Sequence, residues 1–469
     1  MSRIGASIAG FERVLLNNLA RTDQAALTAA LRLATGNKVN VPSDDPSAFA
    51  QLSWLEHRQS IVQDTKVNVD AAATIGAQAQ LNLDTVRAEI VVIQNALLLD
   101  EDQSLTAEAR VTNQLLIDAA LKKIDVAAGS KISGKGFLDG SVDYRYAGKN
   151  ALQIRNISVF ALVETAISGS VGTAATQSVT RYTGTAGNVS GGDTSTFTLT
   201  GERGSASITT TGGETLAAVA ARVNLESHKT GITAAVDGDN LDFTTVDYGD
   251  DATIAVAVTS GTFATSSVTT AADAIVTING ETIASRYVDG NTVTYARNGT
   301  HFKIEFVAGF TGSLDAFTIS DQDVAKFALS TELNDQTSLA FSRVSTDSLG
   351  GLSGLLSDLA SGGSLADLGT NTSQALRVVN EALAQLTLTD GQADSFADRT
   401  VASAATLLTN YDTNLSKSIS AINDIDPNEE NLLVAKNQAL SANTVAALAV
   451  IQAQQTSVLG LLKLISGLK

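Results

Sequence analysis

Cysteine is absent from the 469 residues, and proline, methionine and tryptophan number three, one and one. Without thiols there is no disulfide scaffold, no thiolate zinc site, no iron–sulfur cluster and no cysteine nucleophile. Histidine is confined to His57, His228 and His301, far apart in sequence, and no HExxH, GxSxG, Walker or GxGxxG pattern accompanies them. The expectation is a protein that is not an enzyme, with no catalytic, metal or cofactor-binding residues and no cofactor. Long hydrophobic runs are missing too, and MSRIGASIAGFERVLLNNLA is interrupted by Glu12 and Arg13. Neither membrane insertion nor a cleaved signal is expected.

Positive charge is scarce: the formal net charge is −18, the wrong sign for a nucleic-acid partner. The deficit is uneven. Residues 1–33 hold Arg3, Arg13, Arg21 and Arg32 against Glu12 and Asp23, and residues 437–469 hold Lys463 and Lys469 with no acid, so each end is +2 and the middle −22. Crowded basic ends and a self-repelling acidic middle suit a packed interior and a soluble exterior.

What is present falls into three zones. From residue 11 to about 127, apolar residues recur at helical spacing, with Leu15, Leu19, Ala26, Ala30 and Leu33 in one stripe before Gly36 offers a stop. A second helix is expected from Pro46 to Leu99 and a third from Thr106 to Val126. From about 133 to 345 short alternating stretches such as STFTLTG, ASITTTG and NLDFTTV read as strands joined by turns. Within them ETLAAVAARVNLE places Leu216, Val219, Ala220 and Val223 on one helical face, which makes a local ββαββ unit. Helical spacing returns in SQALRVVNEALAQL and from Asp398 to Ile425. It is clearest at the end, where Leu440, Thr444, Ala447, Ile451, Gln454, Val458, Leu461 and Ile465 form a heptad seam.

The expected fold class is α+β: long terminal helices paired as a coiled-coil or helical-bundle core, with a β-rich inserted outer region. The C-terminal helix is apolar beyond its seam, at Leu448, Val450, Leu459, Leu462 and Leu464. One partner helix cannot cover several faces, whereas many copies of the chain can, so the chain is expected to polymerise with itself. The anchors of self-assembly are Leu15, Leu19, Leu33, Leu440, Ala447, Ile451, Val458, Leu461 and Ile465. In the stretch NVPSDDPSAFA, Asp45 precedes Pro46, and a residue before proline is pushed to the extended geometry of a helix cap. Asp45 and Pro46 therefore mark a corner, supported by Ser43 or Asp44, where one helix ends and the next begins.

LATGNKVNVPSDDPSAFA resembles the N-terminal signature of bacterial flagellin, the flagellar filament subunit. LDTVRAEIVVIQNA, ISGKGFLDG, STDSLGGLSG and QAQQTSVLGLL are similar to further flagellin segments in the same order, over about residues 1–140 and 345–469. FTLTGERGSASITTTGGETLAAVAARVNLE, continuing to residue 256, looks like the small module inserted in some flagellins and related hook-associated proteins. The resemblance implies an N-terminal inner-tube helix over 1–44, an α-rich shell over 45–140, a β-rich outer region over 141–345 holding the insert near 197–256, a returning shell over 346–426, and a C-terminal inner-tube helix over 427–469. It also implies export through the flagellar secretion channel to the cell exterior, and partners in an export chaperone, the filament cap and hook-junction proteins.

PSDDP, in place of a lysine-bearing KDDA-like form, is common in the hook–filament junction protein, and the tail after TSVL is shorter than usual. The junction protein is the alternative. Arg87 matches the receptor-facing arginine of flagellins recognised by Toll-like receptor 5, but AEIVVI follows it where those flagellins carry glutamate and leucine, which counts against recognition. Two other classes compete. A glycan-binding adhesin would use Tyr144, Tyr146, Tyr248, Tyr287 or Tyr295 as stacking platforms unless these fill cores. A hydrolase or calcium site would draw on Asp247, Asp250 and Asp251 unless these form a solvated turn.

Overall fold

The computed structural model describes residues 2–100, 105–332 and 336–467, with the backbone alone for residues 2–9, 462, 465 and 466. Helix makes up about 47% of the chain and gathers at its two ends, while strands fill the middle, an α+β fold. The helices are α1 (Ser2–Thr35), α2 (Pro46–Leu98), α3 (Ala107–Ala128), α4 (Leu216–Leu225), α5 (Ser227–Thr230), α6 (Thr372–Asp394), α7 (Ala402–Asn423) and α8 (Pro427–Ser466). Two compact units arise: Met1–Asn68, Ser330–Leu333 and Ala404–Lys469 form the first, and Val69–Leu329 with Asn334–Ser403 the second.

In the first unit α1 and α8 run antiparallel along one another. Glu12 accepts from Gln455 (3.3 Å), Asp23 from Ser441 (2.7 Å), and Arg32 faces Glu430 at 3.7 Å, so partners rise on one helix as they fall on the other. Helix α1 stops at Gly36, whose φ of 76° lies in the left-handed region and whose N–H reaches the Arg32 carbonyl at 2.8 Å. The chain is then held to the end of α7: Lys38 N–H donates to Asn423 O (2.6 Å) and Val39 N–H to its Oδ1 (3.0 Å).

In the second unit the rest of α2 packs against α6 and α3. Its buried stripe Val69, Ala72, Ala79, Leu83, Val86, Ile90, Ile93 and Leu97 advances by threes, fours and one seven, the period of a single helical face. Polar pairs flank that stripe: Gln80 with Asp394, Arg87 with Asp390, Gln94 with Asn380. Gly76 is in this stripe because a Cβ there would stand 3.3 Å from the Cβ of Ala397.

Residues 395–401 differ from the sequence reading, which broke the helix between SQALRVVNEALAQL and Asp398. The chain instead continues from α6 into α7 through a π-helical stretch, Ser395–Val401. Thr389, Ala393, Phe396 and Val401 are buried along the way, so tertiary burial outweighs the weak helix propensity of TLTDGQADS.

The β region has two cores. In the first, a five-stranded sheet (in order Glu281–Thr282, Ile275–Ile278, Ala166–Thr173, Gly312–Ser320, Arg145–Ala147) shares its apolar face with a four-stranded one (Val288–Asp289, Thr292–Arg297, Thr300–Phe306, Ile154–Ala161). The ladder Thr300–Phe306 shows the alternation clearly, burying Phe302, Ile304 and Phe306 between polar residues. Tyr144 and Tyr295 are buried in this core and Tyr146 and Tyr248 pack on it, leaving Tyr287 exposed. The second core is a ββαββ unit of Ser195–Gly201, Gly204–Thr210, α4, Ile232–Asp237 and Asn240–Thr245, extended by Val179–Thr183, Ala255–Ser260 and Thr265–Thr269. Its α4 is capped by Thr215, whose hydroxyl accepts from Ala218 N–H at 3.3 Å, and buries Leu216, Val219, Ala220 and Val223. Asp247 is drawn out of the acidic turn by Arg203, which holds both its oxygens at 3.0 and 2.9 Å.

Candidate assembly surface

The corner at residues 40–48 is built from two carboxylates with separate tasks. Asp45 Oδ1 accepts from Ser47 N–H (3.0 Å) and Ala48 N–H (2.9 Å), two of the amides that the first turn of α2 leaves free, and Pro46 has no amide to satisfy. Asp44 turns the other way. Its Oδ2 accepts from Asn40 N–H (2.9 Å) and Val41 N–H (3.1 Å), and these backbone donors lower its pKa. The sequence reading left out a second Asp-Pro pair, Asp426-Pro427, which is built the same way: Asp426 Oδ1 accepts from Asn428 N–H at 2.8 Å and opens α8. Two of the chain's three prolines thus start its two longest helices, each behind a capping aspartate. Asp45→Ala is expected to lower stability by about 1 kcal/mol, as for other N-caps. Urea unfolding followed by circular dichroism measures it, and an unchanged midpoint would remove the capping role.

The α1–α8 contact uses part of the expected seam. Leu15, Leu19 and Leu33 are half-buried on α1, but the covered alanine between them is Ala29 at 4% exposure, while Ala30 faces outward. On α8 the covered line runs through Ser441, Thr444, Leu448, Ile451 and Gln455, with Ala447 half-buried beside it. Leu440, Val458 and Leu461 remain 42%, 49% and 58% exposed, and the side chain of Ile465 lies outside the described residues. The pairing line keeps Thr444 and Ile451 of the heptad but takes Ser441, Leu448 and Gln455 in place of Leu440, Ala447 and Gln454, because Ser441 and Gln455 find partners in Asp23 and Glu12.

That pairing leaves apolar residues uncovered. Val445, Val450, Leu459 and Leu464 on α8, and Phe11, Val14, Leu16 and Leu27 on α1, are all half exposed or more. Although no membrane span was expected, Pro427–Leu461 is long and apolar enough to cross a membrane by length and composition, at mean hydropathy 1.3 with 6% of its apolar window buried. Interspersed Gln, Asn, Ser and Thr had hidden that average, since they break every continuous apolar run.

Arg87 lies on α2 in the second unit, with its guanidinium engaged by Asp390 of α6. Among the described residues no group of three or more His, Asp or Glu is arranged to hold a metal.

Residues 376–462 match the family described as the bacterial flagellin C-terminal helical region, and residues 196–247 match the flagellin hook IN motif. The chain carries flagellin domains. The first of them spans most of α6, all of α7 and most of α8, and so includes the uncovered Val445, Val450 and Leu459; the second is the ββαββ unit.

No curated protein matches the sequence. Solved structures similar to the chain include the flagellar cap protein FliD D1-D2-D3 domains from Escherichia coli (14% identity, 52% of this chain and 64% of that one, TM-score 0.29). FliD (HAP2) from Pseudomonas aeruginosa PAO1 follows at 19% identity, over 36% of this chain and 85% of that one, with TM-score 0.28. FlgL from Xanthomonas campestris matches at 10% identity over 78% of this chain and 98% of that one, again with TM-score 0.28. The chain therefore spans less than two thirds of the first of these relatives.

Proposed function

We propose that this flagellin-domain protein is the self-assembling subunit of the flagellar filament and serves motility. The observation that carries the reading is the set of apolar residues left uncovered on α8, a helix already paired along its Ser441–Gln455 line. A helix so exposed gains little in an isolated chain, and burial by further copies supplies the missing apolar contact. In this reading residues 1–44 and 427–469 line an inner tube, 45–140 and 346–426 form the shell, and 141–345 face solvent. Leu440, Val458 and Leu461 are then anchors between copies, while Leu15, Leu19, Leu33, Ala447 and Ile451 hold α1 to α8 within one copy.

Secretion through the flagellar channel, a dedicated export chaperone, and contacts with cap and junction proteins belong to the same proposal. The hook–filament junction protein is the second reading, favoured by the PSDDP form of the corner. Electron microscopy of the purified protein at high concentration separates them. Long helical filaments are expected; short rings would favour the junction protein, and dispersed monomers at all concentrations would remove both.

A further inference from the structure

Strand Ile154–Ala161 sends Ile154, Ile157 and Val159 into the first β core and turns Asn156, Ser158 and Phe160 outward. Lys303 stands opposite Ser158 on the adjacent strand. Over this outer face lies a cleft of about 180 Å³, bordered by Lys149, by Arg343 and by Gln385 and Gln392 of α6. In a chain of net charge −18, its lining holds three cations and a single carboxylate, Asp143.

The cations are poorly compensated. Lys149 Nζ donates to the Arg155 carbonyl at 3.2 Å and sits 5.9 Å from the centre of the Tyr146 ring, and burial lowers its pKa. Neither Lys149 nor Lys303 has a carboxylate at ion-pair distance among the described residues, whereas Arg343 shares Asp347 at 3.0 Å. Glu305 acts on Lys149, and Asp289 on Lys303, only from beyond ion-pair distance, so an anion in the cleft would give these half-buried ammonium groups a counter-charge in direct contact.

We propose that this cleft binds a small oxyanion of sulfate or phosphate size, held by Lys149, Lys303 and Arg343 with Asn156, Ser158 and a glutamine amide of α6 as neutral donors. Neither the assembly face nor the flagellin domains require such a site, so the inference stands independently of filament formation.

Asp143 makes the binding pH-dependent. Burial pushes its pKa up to about 6, against the opposing effect of the Tyr144 N–H that donates to it at 2.7 Å. Facing the same cleft are Tyr146 and Lys149 from its own segment, Lys303 from the sheet and Arg343 from the segment before α6; α6 contributes only uncharged Gln385, Leu388, Thr389 and Gln392. Above about pH 6 the ionised carboxylate opposes an anion. Below it the carboxyl is neutral, so affinity rises as pH falls.

Calorimetric titration of the full chain with sodium sulfate, whose charge is constant over this range, tests the site against sodium chloride at matched ionic strength. Saturable binding specific to sulfate is expected, several-fold stronger at about pH 5 than at about pH 8. Lys149→Met and Lys303→Met should each weaken it about tenfold. Lys149→Arg should retain it, Lys122→Met, at an exposed position of α3, should leave it unchanged, and Asp143→Asn should bind alike at both pH values. Absence of saturable heat with folded protein, or an isotherm unchanged in the Lys149→Met/Lys303→Met double variant, overturns the proposal; should both methionine variants misfold, loss of binding in folded Lys149→Arg overturns it as well.

Discussion

Deleting residues 440–469 is expected to leave a soluble monomer that forms no filament at any concentration. The removed segment carries Leu448 and Ile451, which hold α8 to α1, and the exposed Val445, Val450, Val458, Leu459, Leu461 and Leu464. Each such side chain contributes about 1.5–3 kcal/mol when fully buried, so even partial burial of the set between copies amounts to many kcal/mol per subunit. The cores of the second unit lie elsewhere: no residue of either β core belongs to the deleted segment. Light scattering and electron microscopy should therefore show monomer while the outer strands keep their thermal transition. Filaments assembled by the truncated chain would refute the seam as the assembly surface.

A finer version uses Val458→Asp with Leu461→Asp. Both positions are exposed in the single chain, so surface substitution there should leave helicity and melting nearly unchanged. Between copies, two carboxylates would be desolvated without partners, and assembly should fail. A doubly substituted protein that still polymerised would place the contact on another face.

Phe263→Ala is expected to have the largest effect on stability, lowering that of the ββαββ unit by about 3–5 kcal/mol. Phe263 lies in the connection between Ala255–Ser260 and Thr265–Thr269 and is 2% exposed. Its ring stacks on Tyr182 at 4.0 Å and on Phe197 at 4.3 Å between centroids, and meets Phe243 edge-on at 6.2 Å. Tyr182 belongs to one sheet of the unit and Phe197 to the other, so this ring joins the two sheets. The melting transition of the module should fall by many degrees, while the helical signal and filament formation persist. A shift smaller than that of an exposed control such as Val268→Ala would mean that the connection is not part of the core.

Element type was largely legible. Helix periodicity placed α2 and α3 within two residues, because an amphipathic stripe repeats in sequence whatever lies opposite it. Strand alternation and the single helical face of ETLAAVAARVNLE likewise placed the ββαββ unit, whose pattern is local. At the corner, Asp-Pro announced a cap from the chemistry of two adjacent residues. Less legible were features that depend on a neighbour. TLTDGQADS looks like a helix break by propensity, and only packing of Phe396 and Val401 carries the helix through it.

The assembly surface divides in the same way. By itself the sequence determined that α8 is long, apolar on more than one side and lacking in acids after Glu430, since these are sums over its own residues. It also determined the Asp45-Pro46 corner, whose hydrogen bonds close within four residues. Only the tertiary structure decided which side of α8 meets α1, because a heptad states a period and leaves its phase to the partner. Asp23 and Glu12 select the Ser441–Gln455 line, and the apolar residues Val458 and Leu461 are left uncovered in the single chain.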